Sequence, residues 1–167
     1  DPQPGPVSLP ELMREVVEEL RLSRRGPDSS GAELTVRHDP PAAWVDRDHL
    51  AQVLHNLLDN ARRSMHEADR AGGSIRVVVE EMAASELPVT LGAAREGASR
   101  WVRISVADDG PGVPADAEEK IFQPFFSTRP TGEGTGLGLP VARSLVLANG
   151  GWMGLGRGDG GAVFQVI

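Results

Sequence analysis

Three groups of residues in this 167-residue chain have the types and spacing for chemistry. Gln52, Asn56 and Asn60 lie four residues apart. On a helix they would form one polar stripe about 80° wide, at roughly 100° per residue. Amides in such a stripe supply uncharged oxygens to a hard cation such as Mg2+, although the same residues also suit a solvated helix flank. Asp108-Asp109-Gly110-Pro111-Gly112 follows an alternating apolar run. That order sets Asp108 at a strand end, where a carboxylate accepts from an exocyclic amine such as that of adenine. It equally suits a plain strand-ending turn. Gly132-Glu133-Gly134-Thr135-Gly136-Leu137-Gly138-Leu139 opens a helical run at Pro140. Glycines at a helix N-terminus expose amide N–H groups where the macrodipole favours an anion, which suits a phosphate cradle. No Gly-Lys-Ser/Thr follows, so it is not a P-loop, and the G-x-G-x-x-G spacing of dinucleotide sites is absent.

These groups need elements to hold them. Ser8–Leu22 reads as a helix, with Ser8 and Glu11 in a capping-box pattern and Leu9, Leu12, Val16, Val17 and Leu20 as its apolar stripe. Residues 1–7 read as a flexible, Pro-rich lead-in. Glu33–Arg37 alternates as a short strand, and Asp46 is placed to cap a helix from Arg47 to about Ala68. On that helix Leu50, Val53, Leu54, Leu57, Leu58, Ala61 and Met65 fall on an arc of roughly 140°. Ser74–Glu80 and Trp101–Ala107 alternate as two strands, expected to pair antiparallel. Residues 81–100 read as a long, mobile, insertion-like connection between them. Val113–Glu133 is irregular, with prolines at 114, 124 and 130. Pro140–Ala148 is a short helix, and 150–167 holds one or two strands around a turn at Gly158–Gly161. The mixture predicts a two-layer α/β sandwich.

Composition narrows the function. The chain is 40% hydrophobic and 25% charged, which is globular and long enough for one domain with a real core. It has no cysteine, which removes disulfides, thiolate nucleophiles and cysteine-bound metals, and suits a reducing compartment. The net charge of −7 offers no basic footprint for nucleic acid. No apolar run approaches the roughly 18 residues of a membrane span, and no signal peptide is visible. The first residue is Asp1, which reads as a fragment of a longer protein. Thirteen of the 20 glycines lie between Gly110 and Gly161, alternating with Leu, Val, Phe and Trp rather than Ser. That points to a backbone required to approach something closely.

Taken together and in this order, the three groups match the N, G1 and G2 boxes of the histidine-kinase ATP-binding domain, within the Bergerat-fold ATPase group. The chain resembles that family through QVLHNLLDNARRSM, DDGPGV, IFQPFFSTRPTGEGTGLGLPVARSLVLANGG and GDGGAVFQVI. The likeness spans roughly residues 8–167, and the PFFST run with a basic residue after it is most similar to the nitrogen-regulation sensor kinases. The resemblance implies a mixed sheet of about five strands covered by about three helices, with 113–133 as a mobile ATP lid. It implies that Asn56 and Asn60 hold Mg2+ and the triphosphate and that Asp108 binds the adenine amine, with Gly110 and Gly112 allowing close approach. Gly134, Thr135, Gly136, Leu137 and Gly138 would line the phosphates together with Thr128. Phe122, Phe125 and Phe126 resemble the F box, an exposed aromatic patch suited to docking. Arg129 stands near the γ-phosphate where relatives often carry Lys, whose reach and geometry differ.

The departures bear on mechanism. ATP-hydrolysing relatives carry a Glu one turn before the first Asn; here that residue is Gln52, which cannot take a proton from water. The resemblance therefore implies transfer of the γ-phosphoryl to a histidine, with Gln52 orienting it. His38, His49, His55 and His66 fit no acceptor pattern and read as surface residues. The acceptor is expected on a dimerisation domain of the parent protein, with a response-regulator receiver domain downstream. Neither nucleic acid nor a membrane is expected to contact this domain. The expected setting is the cytoplasm, whether or not the parent is membrane-anchored. A non-catalytic nucleotide-binding module and an ATP-hydrolysing clamp remain open alternatives.

Overall fold

The computed structural model describes residues 1–22, 33–38, 42–67, 73–91, 100–127, 135–158 and 160–167. Its elements in chain order are β1 (Gly5–Ser8), α1 (Leu9–Leu22), β2 (Glu33–His38), β3 (Ala42–Val45), α2 (Arg47–Glu67), β4 (Ser74–Ala83), β5 (Arg100–Asp108), α3 (Gly138–Ala148), β6 (Met153–Leu155) and β7 (Val163–Val166). Five strands form one mixed sheet in the order β2-β4-β5-β7-β6, and β1 pairs with β3 in a separate two-stranded sheet. Only β2 and β4 run parallel, a pairing that needs a long crossover, and α2 lies within it. Three helices and a mixed sheet are the two-layer sandwich expected.

Helix α2 is the centre of the core. All seven residues of its apolar arc are buried, from Leu50 through Met65. Each large apolar side chain buried there contributes about 2 kcal/mol. They meet α1 through Leu9, Leu12, Met13 and Val16. On the sheet side, β4, β5 and β7 alternate, so Val77, Val106 and Phe164 lie in one cross-strand row, and Val79, Ile104 and Val166 in the next. Continuing this face to the end of β5 brings Asp108 opposite Ile75. Asp108 thus sits on the core side of the sheet.

The ends of α2 and α3 are tied together. Asp46 caps α2, accepting from the backbone N–H groups of Asp48 and His49 at 3.0 Å each. Its other oxygen accepts from the Gln3 N–H, and these donors hold its carboxyl below the ordinary aspartate range. Asn149, after the last turn of α3, accepts from the Asp46 N–H and donates to the Leu145 carbonyl. Its amide also lies 3.0 Å from Nδ1 of His49, so His49 is half-buried in this junction rather than a free surface residue. His55, also half-buried, pairs with Glu19 of α1 at 2.8 Å. The side chains of His38 and His66 lie outside the described residues.

Three segments differ from expectation. Residues 5–7 are not frayed lead-in but, with Ser8, form a strand held by β3. Strand β4 continues to Ala83, and Met82, Leu87 and Leu91 form a second buried cluster against Trp101, Trp152 and Ile167. By alternation Met82 and Trp101 lie on the face away from the helices, so the start of the 81–100 segment covers that face. Helix α3 begins at Gly138, two residues before the Pro140 start read from the sequence. Pro140 falls in its first turn, where a missing N–H is harmless.

Candidate functional site

One cleft of about 260 Å3 collects six of the ten predicted site residues that are described. Asn56 and Asn60 of α2 line one side, Gly112 the base, and Thr135, Gly136 and Gly138 the side formed by the glycine loop and the start of α3. A β-carbon on Gly138 would stand 3.9 Å from Oδ1 of Asn56, in ordinary contact, so the start of α3 lies beside the amide stripe. Gly138 and Leu139 carry N–H groups in the first turn of α3, and both residues border the cleft. An anion is favoured there by the helix dipole.

Asp108 and Gly110 lie directly behind the cleft wall formed by Ser64 and Ala162. Asp108 is only 4% exposed, the one buried charged residue among those described. Its Oδ1 accepts from the Gly110 N–H at 2.8 Å and from the Ala162 N–H at 3.4 Å. Its Oδ2 is buried with no hydrogen-bond partner. Burial raises its pKa above the ordinary aspartate value, and the negative charge of Asp109 raises it further; the two N–H donors and the Ser64 hydroxyl oppose them. The glycines around it are sterically required. A side chain at Gly110 would overlap Ser64 and stand 2.6 Å from Asp108 Oδ1, and one at Gly161 would collide with the Asp108 carbonyl. Gly112 has φ +78°, the left-handed region that suits glycine.

A second orphan belongs to a residue that lines the cleft. The Asn56 amide nitrogen is buried and has no partner. An unmatched buried acceptor and an unmatched buried donor each cost about 1–3 kcal/mol, so both are explained most simply by a ligand. Among the described residues no group of three His, Asp or Glu side chains could hold a metal. A divalent cation here would therefore rest on amides and on a ligand's own phosphates, the usual arrangement for Mg2+ with a nucleotide.

The remaining predicted residues stand apart. Gln52 is exposed and does not line the cleft. Leu137 is exposed and does not line the cleft. Thr128, Arg129 and Gly134 lie outside the described residues. The three phenylalanines split rather than forming one exposed patch. Phe122 is half-buried edge-on against Phe164, Phe126 is half-buried in the cleft wall, and only Phe125 is exposed. Sequence reading missed Asp59, Arg63 and Ser64, which all line the cleft. The signal was available for Ser64, which continues the four-residue spacing of Asn56 and Asn60. A larger, mostly apolar cavity of about 590 Å3 lies between Trp44, Val53, Trp101 and Val146, and contains none of the predicted site residues.

Comparison with known proteins agrees with this geometry. A family model described as histidine kinase-, DNA gyrase B-, and HSP90-like ATPase matches residues 45–167. The sensory histidine kinase/phosphatase NtrB of Rhodobacter capsulatus is 36% identical over 131 residues, covering 77% of this chain and 34% of that protein. The chain thus spans about a third of the length of this relative. The solved catalytic domain of histidine kinase ThkA is 30% identical with a TM-score of 0.74, covering 98% of this chain and 93% of that one. Histidine kinase ThkA solved in complex with the response regulator protein TrrA is 25% identical with a TM-score of 0.69, covering 98% of this chain and 40% of that one. The chain belongs to the histidine kinase-, DNA gyrase B- and HSP90-like ATPase family and, within it, to the catalytic domains of sensor histidine kinases.

Proposed function

We propose that this domain binds Mg-ATP and passes the γ-phosphoryl group to a histidine on a dimerisation domain of its parent protein, from which a response-regulator receiver domain takes it. The observation that carries the reading is two unmatched buried atoms, Nδ2 of the cleft-lining Asn56 and Oδ2 of Asp108 behind the cleft wall. Asp108 accepts from the adenine amine. Asn56 and Asn60 orient the triphosphate, and the N–H groups at the start of α3, with Thr135, Gly136 and Gly138, hold its oxygens. Thr128, Gly134 and Leu137 are assigned to the same phosphate-binding set, and Gly110 and Gly112 let the backbone close on the base. Mg2+, when bound, neutralises charge on the transferring group. Arg129 meets the γ-phosphate, and Gln52 orients the incoming imidazole rather than activating water. The partner domain docks on Phe125. The ThkA complex with a response regulator supports the last step by likeness. This reading puts the domain in the cytoplasm; no helix of the described residues is long and apolar enough to cross a membrane.

The test has two stages. Mg2+ with ADP or a non-hydrolysable ATP analogue at a hundred times Kd should add about 2.7 kcal/mol to unfolding, or roughly 5–10 °C in Tm. Mixing the domain with the acceptor domain of its parent and labelled ATP should then give acid-labile phosphohistidine. Binding without transfer would favour a non-catalytic module. Rapid ATP turnover with no acceptor present would favour a hydrolytic clamp, with Asp59 at the cleft rim as the carboxylate to examine.

A further inference from the structure

Ile121, Phe126 and Ser127 all line the cleft, so one short stretch of chain builds this part of its wall. The stretch begins with a single helical turn, Lys120–Phe122, closed by bonds from the Ile121 N–H to the Ala117 carbonyl and from the Gln123 N–H to the Lys120 carbonyl. A turn this short has little stability of its own and needs an anchor. Phe122 supplies one. Its ring is half-buried and stands nearly perpendicular to that of Phe164 in β7, with 87° between the planes and 6.4 Å between the centres. The Arg143 guanidinium, from the second turn of α3, lies 4.7 Å from the centre of the same ring. Arg143 itself is exposed and does not line the cleft.

We propose that Arg143 is a positioning residue of the cleft: its guanidinium holds the Phe122 ring against α3 and so fixes the wall that carries Ile121 and Phe126. The proposal rests on the reading of the cleft as an ATP site. The face of an aromatic ring is electron-rich, so a cation above it is attracted. A neutral side chain of similar length can cover the ring but lacks that attraction. The perpendicular contact with Phe164 and the cation over the centre together set the tilt of the ring. Helix α3 also brings Gly138 and Leu139 to the cleft border. Arg143 therefore ties the wall to the helix whose first-turn N–H groups face the ligand, and it acts through Phe122 rather than on the nucleotide.

The experiment is a double-substitution cycle read by titration calorimetry with Mg-ADP. It compares the wild-type domain, Arg143→Gln, Phe122→Leu and the two combined, with Arg143→Lys as the conservative variant and urea unfolding to confirm that each is folded. Arg143→Gln should weaken Mg-ADP about threefold, the size expected for an exposed cation over a ring. Arg143→Lys should recover most of that loss. Phe122→Leu keeps apolar bulk but has no ring face, so adding Arg143→Gln to it should change nothing further. The same threefold loss in the Phe122→Leu background would mean that the charge acts on the phosphates through space, which overturns the positioning role. An unchanged affinity in Arg143→Gln, or equal losses in Arg143→Gln and Arg143→Lys, overturns it too, and each of these results leaves the ATP site standing. The Arg143→Lys comparison needs no change at Phe122, so it decides even if Phe122→Leu does not fold. A wild-type domain that binds no Mg-ADP overturns both readings.

Discussion

Asp108 and Asp109 are adjacent in the chain, and their carboxylates are held in opposite environments. Asp109 is exposed, and its Oδ2 accepts from both the N–H and the hydroxyl of Ser74, at 2.9 and 2.7 Å. With the Asp109 N–H donating to the Ser74 carbonyl, this closes the end of the β4–β5 pair. Asp108 turns to the core side and keeps one oxygen unmatched. In the proposed site Asp108 carries recognition, whereas Asp109 carries structure, so the two should respond differently to substitution.

Asp108→Asn keeps an oxygen for the Gly110 N–H and removes a buried charge. The ligand-free variant should melt at or above the wild-type temperature at pH 7, while the nucleotide-dependent rise in Tm disappears. Asp109→Ala should do the reverse, lowering stability by about 1 kcal/mol through its lost hydrogen bonds with the nucleotide shift preserved. A thermal-shift series with and without Mg-ADP separates them. A retained shift in Asp108→Asn would remove Asp108 from the binding site.

The raised pKa of Asp108 also fixes the sign of a pH effect. Between the ordinary aspartate value and the raised folded value, the folded protein holds more protons than the unfolded chain. Stability therefore falls as pH rises through that window and is level above it, as far as this group is concerned. Asp108→Asn lacks the fall, so its stability relative to wild type should grow through the window and then plateau. Urea midpoints at closely spaced pH values measure this. A difference that shrinks with rising pH would mean that the donors around Oδ1 outweigh burial.

Gly136 and Gly150 offer a matched pair. Both have positive φ, +62° and +76°. A β-carbon at Gly136 would stand 2.7 Å from the Phe125 carbonyl carbon and 2.9 Å from the Phe126 oxygen, whereas at Gly150 it meets nothing within 4 Å. Gly150→Ala should cost about 1 kcal/mol of stability, the strain of an alanine in the left-handed region, with nucleotide affinity unchanged. Gly136→Ala must in addition displace the Phe125–Phe126 backbone, and should weaken Mg-ADP binding by at least about tenfold. Titration calorimetry on both decides it; equal affinities would mean that the loop adjusts without affecting the cleft.

The sequence was legible where a pattern is complete within one segment. The seven apolar residues of α2 and the alternation in β4 and β5 each repeat at their own element's period, and all find the face assigned to them, with Val102 only half-buried. Pairings made at a distance left little trace. Strand β1 is four residues in a proline-rich stretch, and its partner Val45 lies forty residues from Gly5. The second core draws Met82, Leu87, Trp101 and Ile167 from separate segments with no common period. In the cleft, Asn56, Asn60 and the glycines were legible because their types are unusual at that spacing. Ser64 was passed over because a serine late in a helix reads as surface, and its partner Asp108 is 44 positions away. Gln52 follows the spacing but not the site. Each four-residue step turns the stripe by about 40°, and two steps back from Asn60 the side chain has rotated out to solvent.

Phe125 supplies the last test, through a conformation that its own packing does not account for. Its φ is +65°, the one positive value among the described non-glycine residues, and its side chain is 78% exposed. A bulky residue in that region costs on the order of 1 kcal/mol or more. The bond from its N–H to the Gly136 carbonyl, 3.0 Å, helps to hold it there. Phe122, three residues earlier, is anchored instead, edge-on to Phe164 with the Arg143 guanidinium 4.7 Å from its ring centre. Phe122→Ala should therefore cost about 2 kcal/mol of stability and disturb the cleft wall. Phe125→Ala should leave stability and Mg-ADP affinity unchanged, because the ring touches neither core nor cleft. If the ring is the contact for the acceptor domain, Phe125→Ala should slow phosphorylation of a separately supplied acceptor domain by about tenfold or more, chiefly through a raised KM for that domain. An unchanged rate at sub-saturating acceptor would place the docking contact elsewhere and leave the exposed ring and its strained backbone without a role.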